Sequence, residues 1–145
     1  MLFRSNIAVA DASNDRVQLF SADGIYLKEY GQKGLDAKEL VYPRSVAFSR
    51  SGDVTIFDSF RKTLCFTESG QFIKNIFNTH LIKPVSMTIA RDGRILMCDC
   101  GDNKVKVLSP DGTELSQSFS APDCDALPWS EIGRASCRER VSSPV

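Results

Sequence analysis

Sliding the sequence against itself by about 41 residues superposes Pro43 on Pro84, Gly52 on Gly93, Asp58 on Asp99 and Gly70 on Gly112. The spacing inside each copy is fixed. Proline to glycine is nine residues in both copies, glycine to aspartate six, and aspartate to the second glycine twelve or thirteen. An earlier copy places Asp11 and Gly24 thirteen residues apart. A repeat of this length is one supersecondary unit, too small to bury its own apolar faces, so like units must pack against one another.

Within each copy the apolar runs are short and bounded by turn residues, which is strand patterning and not helix patterning. The expected first strands run Ser45 to Ser49 and Ser86 to Ala90, each followed by a glycine turn at Gly52 or Gly93. Second strands are Ile7 to Asp11, Val54 to Asp58 and Ile95 to Asp99; third strands are Arg16 to Phe20, Thr63 to Thr67 and Lys104 to Leu108. Hairpin turns at Gly24, Gly70 and Gly112 lead into fourth strands such as Ile25 to Tyr30 and Gln71 to Phe77. Four strands every 41 residues also describe a meander sandwich, but exact repetition favours radial blades that each pack between two like neighbours. The expected fold is all-β, a partial β-propeller of about three four-stranded antiparallel blades. Its divisions are a truncated first blade and link at 1–42, a second blade at 43–83, a third blade and link at 84–130, and a tail at 131–145.

The order Pro, Val-Ala, Gly, a hydrophobic run ending in Asp, a basic residue with Val-x-Leu-Phe, then Asp-Gly resembles the NHL repeat, most closely over residues 7–31 and in all over about 3 to 120. Ser45 and Ser86 stand where that family usually has glycine, and its Asn-His-Arg signature reads Asn14-Asp15-Arg16, Arg61-Lys62-Thr63 and Asp102-Asn103-Lys104. The resemblance implies a ring of five or six blades. Two complete copies and one whose first strand is at best Met1-Leu2-Phe3-Arg4 cannot close it, so the chain is expected to be a fragment whose partners include the remaining blades. The resemblance also implies a recognition module like the propellers of tripartite-motif (TRIM-NHL) ubiquitin ligases, which recruit protein or RNA while a remote RING domain performs the transfer.

Composition narrows the function. Residues 131–141 are similar to a translated sequencing adapter, and with 131–145 set aside as non-native the chain keeps 15 basic and 16 acidic residues. A neutral balance removes the wholesale phosphate attraction of a strongly basic nucleic-acid binder. No apolar run reaches the roughly 18 residues of a membrane helix, and no secretory segment opens the chain, so a cytoplasmic location without membrane attachment is expected. Cys65, Cys98, Cys100 and Cys124 follow no disulfide spacing and read as reduced, buried thiols.

No catalytic constellation is expected. His80 is the sole histidine, so neither a nucleophile–base pair nor a histidine-rich metal site is supported. Zinc-dependent amidating lyases, which resemble NHL propellers, build their centre from several histidines; that activity would require residues elsewhere. No cofactor or metal is implied. Asp11, Asp58 and Asp99 are expected to accept backbone N–H groups of the turn that follows, with Arg16 and Lys104 adding ion pairs. Phe60, Arg61 and Lys62 replace the small or acidic residues of the neighbouring loops. They form either an ordinary solvated loop with Phe60 tucked on its blade, or an aromatic–cation hot spot for a protein, with single-stranded RNA as the alternative ligand. Tyr42, Arg44, His80, Lys83 and Asn103 are expected on the same rim.

Overall fold

A computed structural model describes residues 6–36, 38–60, 62–76 and 80–120. The expected first strand at Met1 to Arg4, Arg61, Cys124 and the tail lie outside the described residues. Among the described residues eleven strands form three antiparallel sheets. The first holds β1 (Ile7–Asp11), β2 (Arg16–Phe20) and β3 (Tyr26–Tyr30); the second holds β4 (Pro43–Phe48), β5 (Val54–Asp58), β6 (Thr63–Phe66) and β7 (Phe72–Ile76). The third holds β8 (Pro84–Ile89), β9 (Ile95–Asp99), β10 (Lys104–Leu108) and β11 (Leu115–Ser120). The chain divides after Ile76, so the first two sheets form one unit and the third belongs to another.

The repeat extends to backbone irregularities. Both complete sheets start two residues earlier than expected, because Pro43 pairs with Asp58 and Pro84 with Asp99 across a bulge. A second bulge recurs in the outer hairpin, at Leu19/Phe20, Cys65/Phe66 and Val107/Leu108. Strand β11 runs to Ser120, the last of the described residues. Hydroxyls close the hairpins: Ser21, Thr67 and Ser109 accept the N–H of Ile25, Gln71 and Glu114, while Gly24, Gly70 and Gly112 take the positive φ these turns require.

In the first unit, Val17, Leu19 and Tyr30 of one sheet pack with Val54, Ile56, Leu64 and Phe66 of the other, and Leu40 from the link completes the core. Gly31, at φ +77, has no room for a side chain because Leu40 fills the space its Cβ would take. The Tyr30 hydroxyl and Lys28 ammonium both donate to the Glu68 carbonyl at 3.0 Å, strapping β3 to the outer turn of the second sheet. Burial pushes the Tyr30 hydroxyl pKa up.

At the end of each second strand an aspartate organises the loops around it. Asp58 is fully buried; its Oδ1 accepts the N–H of Phe60 and Lys62, and its Oδ2 accepts that of Val41 at 3.2 Å. Asp99 accepts the N–H of Gly101 and Lys83 on Oδ1 and of Ile82 on Oδ2. A buried carboxylate needs a counter-charge. Lys62 supplies it for Asp58 at 3.6 Å while donating to the carbonyls of Asp36 and Glu39. For Asp99 the cation is Lys106, at 2.8 Å, and not the expected Lys104; its ammonium also holds the His80 carbonyl and Asp102. In the first sheet Arg16 bonds Asp11 at 2.9 Å, as expected, with Asn14 beside it. The cation thus comes from three different sequence positions, yet Lys62 and Lys106 grip carbonyls 41 residues apart, those of Glu39 and His80.

Burial alone would raise the Asp99 pKa, but the Lys106 ammonium and three N–H donors outweigh it and hold the carboxyl below its ordinary value. Desolvation likewise opposes the charge of Lys106, and Asp99 with Asp102 raises its pKa nonetheless. Removing one partner leaves the other buried and uncompensated, so Lys106→Met is expected to cost about 3–5 kcal/mol in urea unfolding. Lys104→Met should stay within about 0.5 kcal/mol. A carboxyl whose pKa is lowered by folding contributes stability that is complete above its unfolded value, about 4, and is lost as the pH falls through the folded one. The stability lost between pH 7 and pH 3 should therefore shrink in Asp99→Asn, as measured by urea midpoints at both pH values.

Candidate functional site

The candidate site forms where the β5–β6 loop meets the connection entering β4, both in the first unit. Asp58 pins the loop backbone at Phe60 and Lys62, and the Phe60 ring is left 58 % exposed. The alternative in which Phe60 tucks against its blade is not what the structure shows. Lys62, expected on the same surface, is turned inward and nearly fully buried, because its ammonium is held by Asp58 and the link carbonyls. Arg61 lies outside the described residues.

Tyr42 has the left-handed backbone angle φ +50, which costs a non-glycine residue about 1–2 kcal/mol. Its surroundings enforce it. Asp15, itself left-handed after the short 3-10 turn Ala12–Asn14, accepts the Tyr42 N–H at 2.7 Å, and Ser59 Oγ donates to the Tyr42 carbonyl at 3.1 Å. The same Ser59 oxygen accepts Arg44 Nε at 2.9 Å, and the Ser59 N–H reaches the Val41 carbonyl. One hydroxyl therefore ties Tyr42, Arg44 and the base of the Phe60 loop together. Tyr42 is 48 % exposed and Arg44 is exposed as well. Ser59 and Asp15 were not among the expected site residues; each carries a short polar group whose destination lies in a different connection, which no local pattern reveals.

His80, Lys83 and Asn103 belong to the second unit. All three are exposed. The His80 carbonyl accepts the Lys106 ammonium, the Lys83 N–H binds Asp99, and Asn103 has a left-handed φ of 55, as Asp15 has one of 53. Cys65, Cys98 and Cys100 form no disulfide with one another, and burial raises the Cys65 pKa despite the Thr55 hydroxyl beside it. Among the described residues no group of three His, Cys, Asp or Glu side chains is placed to hold a metal ion. The exposed groups brought together on the first unit are suited to contact: two aromatic rings and a guanidinium.

No family model matches the chain. Protein brain tumor of Drosophila melanogaster is 30 % identical over 115 residues, covering 77 % of this chain and 11 % of that protein. A putative exported protein of Bacteroides fragilis superposes with a TM-score of 0.68 at 14 % identity, over 85 % of this chain and 37 % of that one. Virginiamycin B lyase of Staphylococcus aureus gives 0.60 at 20 % identity, over 83 % and 39 %, and a chain of a nidogen/laminin complex gives 0.56 at 14 %, over 81 % and 43 %. This chain therefore spans about a tenth of the curated relative and less than half of each of these solved chains. The structural likenesses speak for the fold alone, which is that of a partial β-propeller. The similarity to the curated relative supports the NHL-repeat resemblance carried by the sequence.

Because the Tyr42 backbone is strained and its ring is half exposed, Tyr42→Gly should hold or raise the urea midpoint. Tyr42→Val, a β-branched residue at positive φ, should lower stability by about 1–2 kcal/mol. A midpoint that falls equally in both variants would show that the Tyr42 ring, and not its backbone, carries the effect.

Proposed function

We propose that the chain is a non-catalytic recognition module that holds a protein partner on the rim formed by Tyr42, Arg44 and Phe60. One observation carries the reading. Tyr42 in the link and Phe60 on a loop anchored by buried Asp58 both stand exposed, and Ser59, next to Phe60, holds the Tyr42 carbonyl and the Nε of exposed Arg44. Aromatic side chains bury much area for little lost freedom, arginine adds a fork of hydrogen-bond donors, and a loop already ordered loses less on binding. The neutral chain and the inward turn of Lys62 weigh against a phosphate-tracking groove.

In the whole protein this recognition would recruit substrate to a TRIM-type ubiquitin ligase, with transfer carried out by a RING domain outside these residues. The proposed location is the cytoplasm, where Cys65, Cys98 and Cys100 would stay reduced. Single-stranded RNA is the second reading, because the same exposed rings would stack on bases.

With the full chain as bait, a protein complex should survive a rise in salt and lose about 2 kcal/mol, roughly thirtyfold in affinity, in Phe60→Ala. Retention of the complex in Phe60→Ala, Tyr42→Ala and Arg44→Ala alike would remove this rim from consideration. Affinity for a single-stranded oligonucleotide that falls steeply with salt would transfer the site to RNA.

A further inference from the structure

Among the described residues the charges set into the rim include two ion pairs and one guanidinium without a counter-charge. Asp15 lies 3.5 Å from Lys33, and Asp58 lies 3.6 Å from Lys62. Arg44 uses Nε on the neutral Ser59 hydroxyl, and its two terminal nitrogens have no partner among the described residues. A guanidinium held by one nitrogen presents the others at a fixed angle. This is the arrangement that suits a planar, two-oxygen anion.

Resting on the rim reading above, the geometry points to a carboxylate-bearing peptide as the ligand: an Asp or Glu side chain pairs with the terminal nitrogens of Arg44, and an apolar or aromatic neighbour packs on Tyr42 and Phe60. Two features favour a carboxylate in a protein over a run of phosphates. Among the described residues the uncompensated charge on the rim is one fork and not a track of cations, since Lys62 is withdrawn into the Asp58 clasp. The flanking groups are large rings at 48 % and 58 % exposure, which reward an apolar side chain beside the acid. Ser59 is here a positioning residue: it fixes both the Tyr42 carbonyl and Arg44 Nε.

The test is to pan the full chain, immobilised, against a random dodecapeptide display library and measure enriched peptides by fluorescence anisotropy. Enriched sequences should carry Asp or Glu next to, or two residues from, an aromatic or branched apolar residue. Replacing that acid by its amide should weaken binding about tenfold, and Arg44→Lys, which keeps the charge but loses the fork, should do the same. Ser59→Ala should weaken the acidic peptide more than its amide form, which a purely structural role for Ser59 would not produce. Peptides whose binding needs Tyr42 and Phe60 but ignores the acid and Arg44→Lys would overturn the carboxylate assignment and leave the rim reading standing. Enriched peptides insensitive to all three rim residues would overturn both. Displacement of an acidic peptide by a single-stranded oligouridine, with a steep salt dependence, would replace the carboxylate by phosphate. The amide substitution in the peptide leaves the protein untouched, so a folding defect in a variant cannot mimic the result.

Discussion

A carboxylate shut away from water at the end of a second strand imposes more on this chain than any other group. Asp58 and Asp99 are fully buried, and each can exist as an anion there only if every lone pair finds a donor and its charge an ammonium. The donors come from the loop that follows the strand and from the link that precedes the first strand of the same sheet. The ammonium comes from Lys62 or Lys106 and reaches onward to the carbonyls of that link. Loop and link are thereby locked together at one end of each complete sheet.

That lock explains why the rim is rigid where it is exposed. Phe60 stands out from the surface because its own N–H is held by Asp58, and Tyr42 keeps a costly backbone angle because neighbouring groups bind both its N–H and its carbonyl. The first sheet uses a looser version. Asp11 is paired with Arg16 and Asn14 side chains, and in this partly exposed setting the Arg16 hydrogen bond leads the causes that lower its pKa. Screening by solvent makes such a pair worth far less than its buried counterparts.

Most of the fold was legible. Strands β1, β2, β5, β9 and β10 run as the apolar patterning indicates, since alternation bounded by turn glycines leaves little choice of element. The proline bulges were not, because a bulge depends on how two strands meet and not on either alone. The candidate site was half legible. Phe60, Tyr42 and Arg44 stood out as large groups in loops, but Lys62 looks equally available in the sequence and is nearly fully buried. Ser59 and Asp15, which orient the rim, look like ordinary loop residues.

The chain alone determined the repeat, the four-stranded unit and the turns, because those follow from contacts between residues a few positions apart. Only the tertiary structure decided which cation meets each aspartate: the candidates sit four, five or seven residues after it, and all are in reach of a flexible side chain. The choice falls to whichever ammonium can also meet carbonyls of the link, 23 to 26 residues away along the chain for Lys62 and 26 for Lys106. An isolated charge in a loop prefers water; one offered three oxygens in a dry site does not, and that difference exists only once loop and link have folded against each other.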